Sequence, residues 1–191
     1  MNYGKILSIN KIGNISQIQI EIEFKVKPGQ FISLVLPKME IPLSIGDYKN
    51  NILELHISSA NIVNILSHRR EVIVKGPLGK PIELKGKVLG IAEGELYYDI
   101  LFPLREAKRN GLDVAVNCTG CNSEFRKPDS NEKWDTILAS VKNVKTLPRD
   151  ALVYLRWIKM NCMLGVCGAC EINGYLPCIE GPFLEVSKIV D

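Results

Sequence analysis

The chain is poor in histidine, with only His56 and His68 among its 191 residues. Neither stands beside a cysteine or serine in a nucleophile pattern, so the sequence offers no hydrolytic pair of the Ser-His or Cys-His kind. His56 alternates within a strand-like segment and reads as a surface or core residue rather than a catalyst. Excess charge of one sign is also missing. The net charge of +3 is scattered, and clusters such as His68-Arg69-Arg70 are short, which argues against a nucleic-acid partner. No uncharged apolar run reaches membrane-spanning length. The opening Met1-Asn-Tyr-Gly-Lys-Ile-Leu-Ser8 lacks the apolar core of a signal peptide. A cytoplasmic, reducing location is therefore expected, where six cysteines read as metal ligands or thiols before disulfides.

Four of those cysteines are concentrated near the C-terminus. Cys162-Met-Leu-Gly-Val-Cys167-Gly-Ala-Cys170, followed by Cys178, gives the spacing C-x4-C-x2-C and then a fourth cysteine after seven residues. This is the plant-type ligand run for a [2Fe–2S] cluster. Gly165, Gly168 and Gly174 suit a backbone that wraps closely and turns its N–H groups toward sulfur. Met163, Leu164, Val166 and Ala169 supply an apolar shell that limits water. Four thiolates also make a closed zinc site, but zinc ligands usually come as two C-x2-4-C pairs on separate knuckles, whereas here three lie on one loop. Cys118-Thr-Gly-Cys121 is a second C-x2-C; with no further pair free to complete a metal site, it reads as structural thiols, with redox activity the rival reading.

The rest of the chain changes pattern once. Segments Ile15 to Val26, Phe31 to Leu36, Leu53 to Ser58 and Glu71 to Lys75 alternate or run apolar between Gly and Pro turns, which predicts a small antiparallel β-barrel over residues 1–85. Asn61 to His68 has room for a short helix. From Lys87, an apolar strand at Val88 to Ala92, a helical period over Tyr97 to Arg109 and a strand at Val114 to Val116 form a βαβ unit. Further elements are predicted at Thr136 to Val141 and Ala151 to Ile158. Residues 86–158 thus read as a shortened α/β unit, and 159–191 as the cluster-binding segment. Trp134 and Trp157 read as packing residues, with Trp157 placed to shield the cysteine loop.

This order of parts, with Pro28-Gly-Gln-Phe31, Pro42-Leu-Ser44-Ile45, Gly76-Pro-Leu-Gly79, Val88-Leu-Gly-Ile-Ala92 and Cys178-x-x-Gly181-Pro182, resembles the iron–sulfur electron-transfer subunits of two-component dihydroorotate dehydrogenases, within the ferredoxin-reductase-like superfamily. The resemblance implies a [2Fe–2S] cluster on Cys162, Cys167, Cys170 and Cys178. It also implies FAD on the barrel, with Pro42, Leu43, Ser44, Ser58, Ser59 and Gly76 as cofactor-binding positions. The implied partner is an FMN-containing dihydroorotate dehydrogenase catalytic subunit in a heterotetramer of pyrimidine biosynthesis, docked at Met163, Leu164 and Val166. The subunit itself would carry no substrate chemistry.

The chain departs from the family pattern at two places. The flavin motif Arg-Pro-x-Ser reads Ile41-Pro42-Leu43-Ser44, without the arginine. The glycine-rich nucleotide turn reads Ala92-Glu93-Gly94-Glu95-Leu96, with two carboxylates where an anionic phosphate would lie, so weak or absent NAD binding is expected. The rival functions are an electron-transfer subunit of another oxidoreductase, such as a hydrogenase or a ferredoxin–NADP reductase-like enzyme, and a zinc-stabilised non-redox adaptor.

Overall fold

The structure, a computed structural model, describes residues 1–190. Its first half is a seven-stranded antiparallel sheet. The strands are β1 (Asn2–Ile12), β2 (Ile15–Glu21), β3 (Phe31–Leu36), β4 (Met39–Ser44), β5 (Asp47–Lys49), β6 (Ile52–Ile57) and β7 (Glu71–Leu78), in the order β4-β3-β7-β1-β2-β6-β5. Helix α1 (Ala60–Ser67) joins β6 to β7. The period-2 alternation decides which face is buried. In the β2–β6 ladder, Ile18 opposes Leu55 and Ile20 opposes Leu53, all buried, while Gln17–His56 and Gln19–Glu54 occupy the other face. The sheet curls around these residues together with Ile32, Leu34, Val72 and Val74, forming one apolar core. It has the interior of the expected barrel, but β4 and β5 are free edges rather than partners.

The second sheet has the order β12-β11-β10-β8-β9, built from β8 (Lys87–Glu93), β9 (Asp113–Thr119), β10 (Thr136–Ser140), β11 (Leu152–Tyr154) and β12 (Phe183–Glu185). All pairs are parallel except β11–β12. Helix α2 (Tyr97–Arg109) makes the crossover from β8 to β9. Its Ile100 and Leu104 press so closely on the sheet that a β-carbon at Gly90 would lie 3.0 Å from the Leu104 side chain and 3.1 Å from that of Val116. Gly90 is therefore a packing requirement of the strand. Among the described residues no α-helix follows β9 or β10 before the next strand. No helix among the described residues is long and apolar enough to cross a membrane.

Several expectations change. The strand predicted to reach Val26 leaves the ladder after Glu21, although Phe24 and Val26 still pack on the core. The element expected over Ala151 to Ile158 is a strand only at Leu152–Tyr154, because the backbone turns at Leu155 and Arg156. The segment after 159 is more than a cysteine loop: it carries α3 (Pro177–Glu180), returns β12 to the sheet and ends in α4 (Val186–Ile189). Cys118 and Cys121, expected as thiols, are joined in a disulfide with their Cα atoms 5.6 Å apart. The left-handed φ of +70° at Gly120 turns the chain back between them.

Two segments read separately in the sequence meet in space. Gly76-Pro-Leu-Gly79, expected as a turn, continues β7 as far as Leu78 and docks on the Gly181-Pro182 segment, where Lys80 N donates to Gly181 O at 2.6 Å. A β-carbon at Gly79 would collide with Gly181 O and Pro182. This contact fastens the stretch after Cys178 to the first sheet.

Candidate functional site

A cavity of about 250 Å³ opens at the seam between the two sheets. Strand β4 contributes Pro42, Leu43 and Ser44, the β6–α1 junction contributes Ser58 and Ser59, and the chain after β11 contributes Leu155, Arg156, Ile158 and Met160. Five of the six positions expected to touch a cofactor thus share one wall-to-wall space. Gly76 stands apart from it, packed on Ile32 with a φ of +150°. Ser59 caps α1, its hydroxyl accepting from Ile62 N, so the positive end of that helix faces the cavity.

The polar floor of the cavity is a buried carboxylate that sequence reasoning missed. Asp99, 3% exposed, sits in the first turn of α2. It accepts from Ser44 Oγ (2.9 Å), Ser140 Oγ (2.9 Å) and Arg156 Nη1 (2.9 Å). Burial pushes the Asp99 carboxyl up from its ordinary range, while Arg156 and the two hydroxyls pull it back. Tyr154 beside it is raised by burial and by the Asp99 charge. A signal was present in the sequence: Asp99 lies within the apolar-face run Tyr97, Ile100, Leu101, Leu104, and a charge there needs a buried partner. Arg156 was unreadable as that partner, since the link spans 57 residues.

The face of β6 that packs on α2 also gives the cavity His56. His56 stacks on Tyr98 with ring centroids 4.1 Å apart, its side chain 5% exposed and its Nε2 3.5 Å from Glu54 Oε1. Its Nδ1 has no hydrogen-bond partner among the described residues. Burial, then the charge of Arg105, hold the imidazole down at about 4, against the opposing pull of Glu124. The fold therefore keeps His56 neutral while the unfolded chain takes a proton near 6.5. Its contribution to stability is complete above that value and is lost as pH falls toward 4, by about 3 kcal/mol in all. His56→Phe is expected to flatten this part of the stability–pH curve, measured by urea unfolding at stepped pH. An unchanged slope would refute the assignment.

The four C-terminal cysteines lie near the same seam. Cys170 and Cys178 are buried, 3% and 1% exposed, in an apolar cluster with Phe31, Met160 and Met163. Cys162 is half-buried and Cys167 exposed. Left-handed φ values at Met163 (+55°), Gly165 (+75°) and Gly168 (+66°) coil the loop. Leu164 N donates to Cys162 Sγ at 3.4 Å. Donation from the Leu164 amide, then contact with the Cys167 thiol and the Cys167 amide, holds the Cys162 thiol down at about 6. Burial, and then the adjoining Cys170, push Cys178 up to about 11, against a bond from the Gly165 amide. Among the described residues no three Cys, His, Asp or Glu side chains converge as ligands of one metal ion.

The apolar residues of this loop divide. Met163, expected at a docking face, is 1% exposed and fills the space beneath the cysteines. Leu164 (56%) and Val166 (81%) are exposed. Trp157 does not cover the thiols; it is 49% exposed and lines a surface recess with Val144, Ile172 and Ile189.

No model of a protein family matches the chain. Curated relatives do. It is 23% identical over 216 aligned positions, covering 93% of this chain and 87% of the relative, to a Pyrococcus furiosus protein named probable dihydroorotate dehydrogenase B (NAD(+)), electron transfer subunit. Proteins of the same name from Pyrococcus horikoshii and Thermococcus kodakarensis are each 24% identical, covering 93% and 88% of this chain and 87% and 88% of their own lengths. Among solved structures, a chain of an NADH-dependent reduced ferredoxin-NADP oxidoreductase superposes with a TM-score of 0.69 at 21% identity, over 97% of this chain and 89% of that one. A type IV self-sufficient cytochrome P450 monooxygenase gives 0.54 at 10% identity over 73% of this chain and 24% of that one. The chain thus has a ferredoxin-reductase-like fold and, along most of its length, resembles the electron-transfer subunits of dihydroorotate dehydrogenase B.

Proposed function

We propose that the chain is an electron-transfer subunit, accepting electrons from the FMN of a dihydroorotate dehydrogenase catalytic subunit and passing them to an acceptor in pyrimidine biosynthesis. Two groups supply the redox chemistry when bound: a [2Fe–2S] cluster and FAD. Cys162, Cys167, Cys170 and Cys178 would hold the first. Their spacing is the plant-type run for two irons, whereas zinc ligands usually come as two C-x2-4-C pairs on separate knuckles. Pro42, Leu43, Ser44, Ser58 and Ser59 would hold the second. The cavity is smaller than the roughly 300–1,000 Å³ of typical ligand pockets, so it would enclose only part of an FAD. Arg156 brings to this cavity a guanidinium that uses only Nη1 on Asp99 among the described residues, making good the arginine missing at Ile41.

One observation carries the reading. Met160 and Ile158 line the cavity and also pack in the apolar cluster that contains Cys170 and Cys178. The flavin cavity and the thiol loop therefore back onto the same side chains, the arrangement a two-cofactor relay requires. The names of the relatives favour dihydroorotate oxidation over another oxidoreductase. For NAD, Glu93 and Glu95 remain where a phosphate would sit, and Glu93 Oε2 already accepts from Lys142 N at 3.2 Å.

The test is anaerobic co-purification with the catalytic subunit, followed by metal, sulfide and flavin analysis. About two irons and two sulfides per chain are expected, with FAD beside the partner's FMN. Leu164→Asp, on the exposed part of the loop, is expected to weaken the heterotetramer while sparing the visible spectrum. Stoichiometric zinc would refute the cluster, and release of FMN alone on acid extraction would refute the FAD.

A further inference from the structure

The loop that carries Cys162 is held to the first sheet by a lysine outside every motif in the sequence. Lys75, in β7, donates from Nζ to the carbonyl oxygen of Cys162 at 3.0 Å and to Glu40 Oε2, in β4, at 3.1 Å. Strand β3 lies between the two, pairing Ser33 with Lys75 and Val35 with Glu40. The Lys75 side chain is 17% exposed and that of Glu40 36%. The ammonium is thus the more deeply placed member of the pair and the one in contact with the cysteine loop, while the carboxylate keeps more of its hydration. Burying a lysine to this depth is costly unless both charge and hydrogen bonds are answered. A loop that needed only mechanical support would be served by an apolar contact.

We propose that Lys75 is a positioning and tuning residue for the redox centre on the cysteine loop, and that Glu40 sets how much of its charge the centre feels. The inference rests on the cluster reading above. Reduction adds one negative charge to a group held by four thiolates. A fixed cation at the backbone of its first ligand stabilises the reduced form and raises the potential, one of the protein's levers on such clusters. The ammonium stands 3.0 Å from the Cys162 carbonyl oxygen, close enough for its charge to act on the centre. Glu40, paired with the ammonium, partly cancels it. The two residues are predicted to act with opposite signs, which a role limited to anchoring the loop does not produce.

The experiment uses the full chain, purified anaerobically with its cluster, and reads the midpoint of a reductive titration together with iron content. Lys75→Met is expected to shift the midpoint downward, Glu40→Gln to shift it upward, and Lys75→Arg to leave it near the starting value. Both shifts are expected to shrink as ionic strength rises. Should Lys75→Met fail to retain its cluster, Glu40→Gln still decides, since it keeps the lysine. A midpoint that ignores Glu40→Gln, or moves the same way in both variants, overturns this inference alone. A wild-type chain that takes up no iron and sulfide overturns the cluster reading, and this inference with it.

Discussion

Cys167→Ser is expected to yield a folded, nearly colourless chain that has lost most of its iron and acid-labile sulfide. The exposure of Cys167 makes this variant decisive. Substitutions at exposed positions away from caps and networks usually change stability by no more than about 0.5 kcal/mol, so the thermal unfolding of the metal-free chain should match that of the metal-free parent. Loss of colour with unaltered folding then reports a missing ligand rather than a collapsed loop. Cys178→Ser would be less informative. Cys178 is 1% exposed beside Phe31 and Met163, and a hydroxyl buried there disturbs the packing whether or not a metal is present. Full iron content and an unchanged visible spectrum in Cys167→Ser would remove the fourfold-thiolate reading.

Much of the architecture was legible from period alone. The helix Tyr97–Arg109 was placed to the residue, because its apolar positions recur at helical spacing and Asn110-Gly111 ends it. Strands β3 and β6 were readable because Gly, Pro or Asn bounds a short apolar or alternating run. What escaped were elements whose pattern is set by neighbours. Strand β1 exposes Tyr3, Leu7 and Ile12, and its register against β2 shifts between Ile6 and Ser8, so no clean alternation survives. Strand β4 contains Pro42, which normally argues against a strand; it is tolerated because β4 is an edge of the sheet. Strand β12 has only three residues and exists because β11 offers it a partner.

The candidate site divides along the same line. The cysteine run is local, so spacing alone suggested its chemistry. The residues that surround it are held by long-range contacts: Lys75 reaches Cys162 across 87 residues, and Arg156 reaches Asp99 across 57. A lysine in an antiparallel strand and an arginine after a short parallel one look like surface charges until the chain is folded. Conversely, Ser44 was singled out for a flavin, and its hydroxyl is already engaged with Asp99. Its part in any flavin site therefore runs through that carboxylate.

Arg156→Met is expected to destabilise the cofactor-free chain by about 3 kcal/mol near pH 8, and by progressively less toward acid. Removing one member of a buried ion pair costs roughly 3–5 kcal/mol, because the other charge stays behind unpaired. The lower end applies here, since the Arg156 side chain is 43% exposed and water can enter its place. Asp99 cannot leave: α2 fixes it at 3% exposure, with only the Ser44 and Ser140 hydroxyls remaining as donors. Burial already raises its carboxyl above the ordinary value of 3.8, and without Arg156 the rise is greater. A carboxyl whose folded value is raised retains its full stability below the unfolded value and loses it as pH climbs through the folded one. The deficit relative to the parent should therefore open as pH rises from about 4, opposite in sign to the His56 effect. Adding Asp99→Asn to Arg156→Met is expected to recover most of the loss, because a neutral amide carries no charge to bury; its carbonyl oxygen can accept from one serine while its NH2 donates to the hydroxyl of the other. Urea unfolding of the parent, both single variants and the double variant at several pH values measures the coupling. A deficit that does not vary with pH, or a double variant less stable than Arg156→Met alone, would show that Arg156 matters here for its packing rather than for its charge.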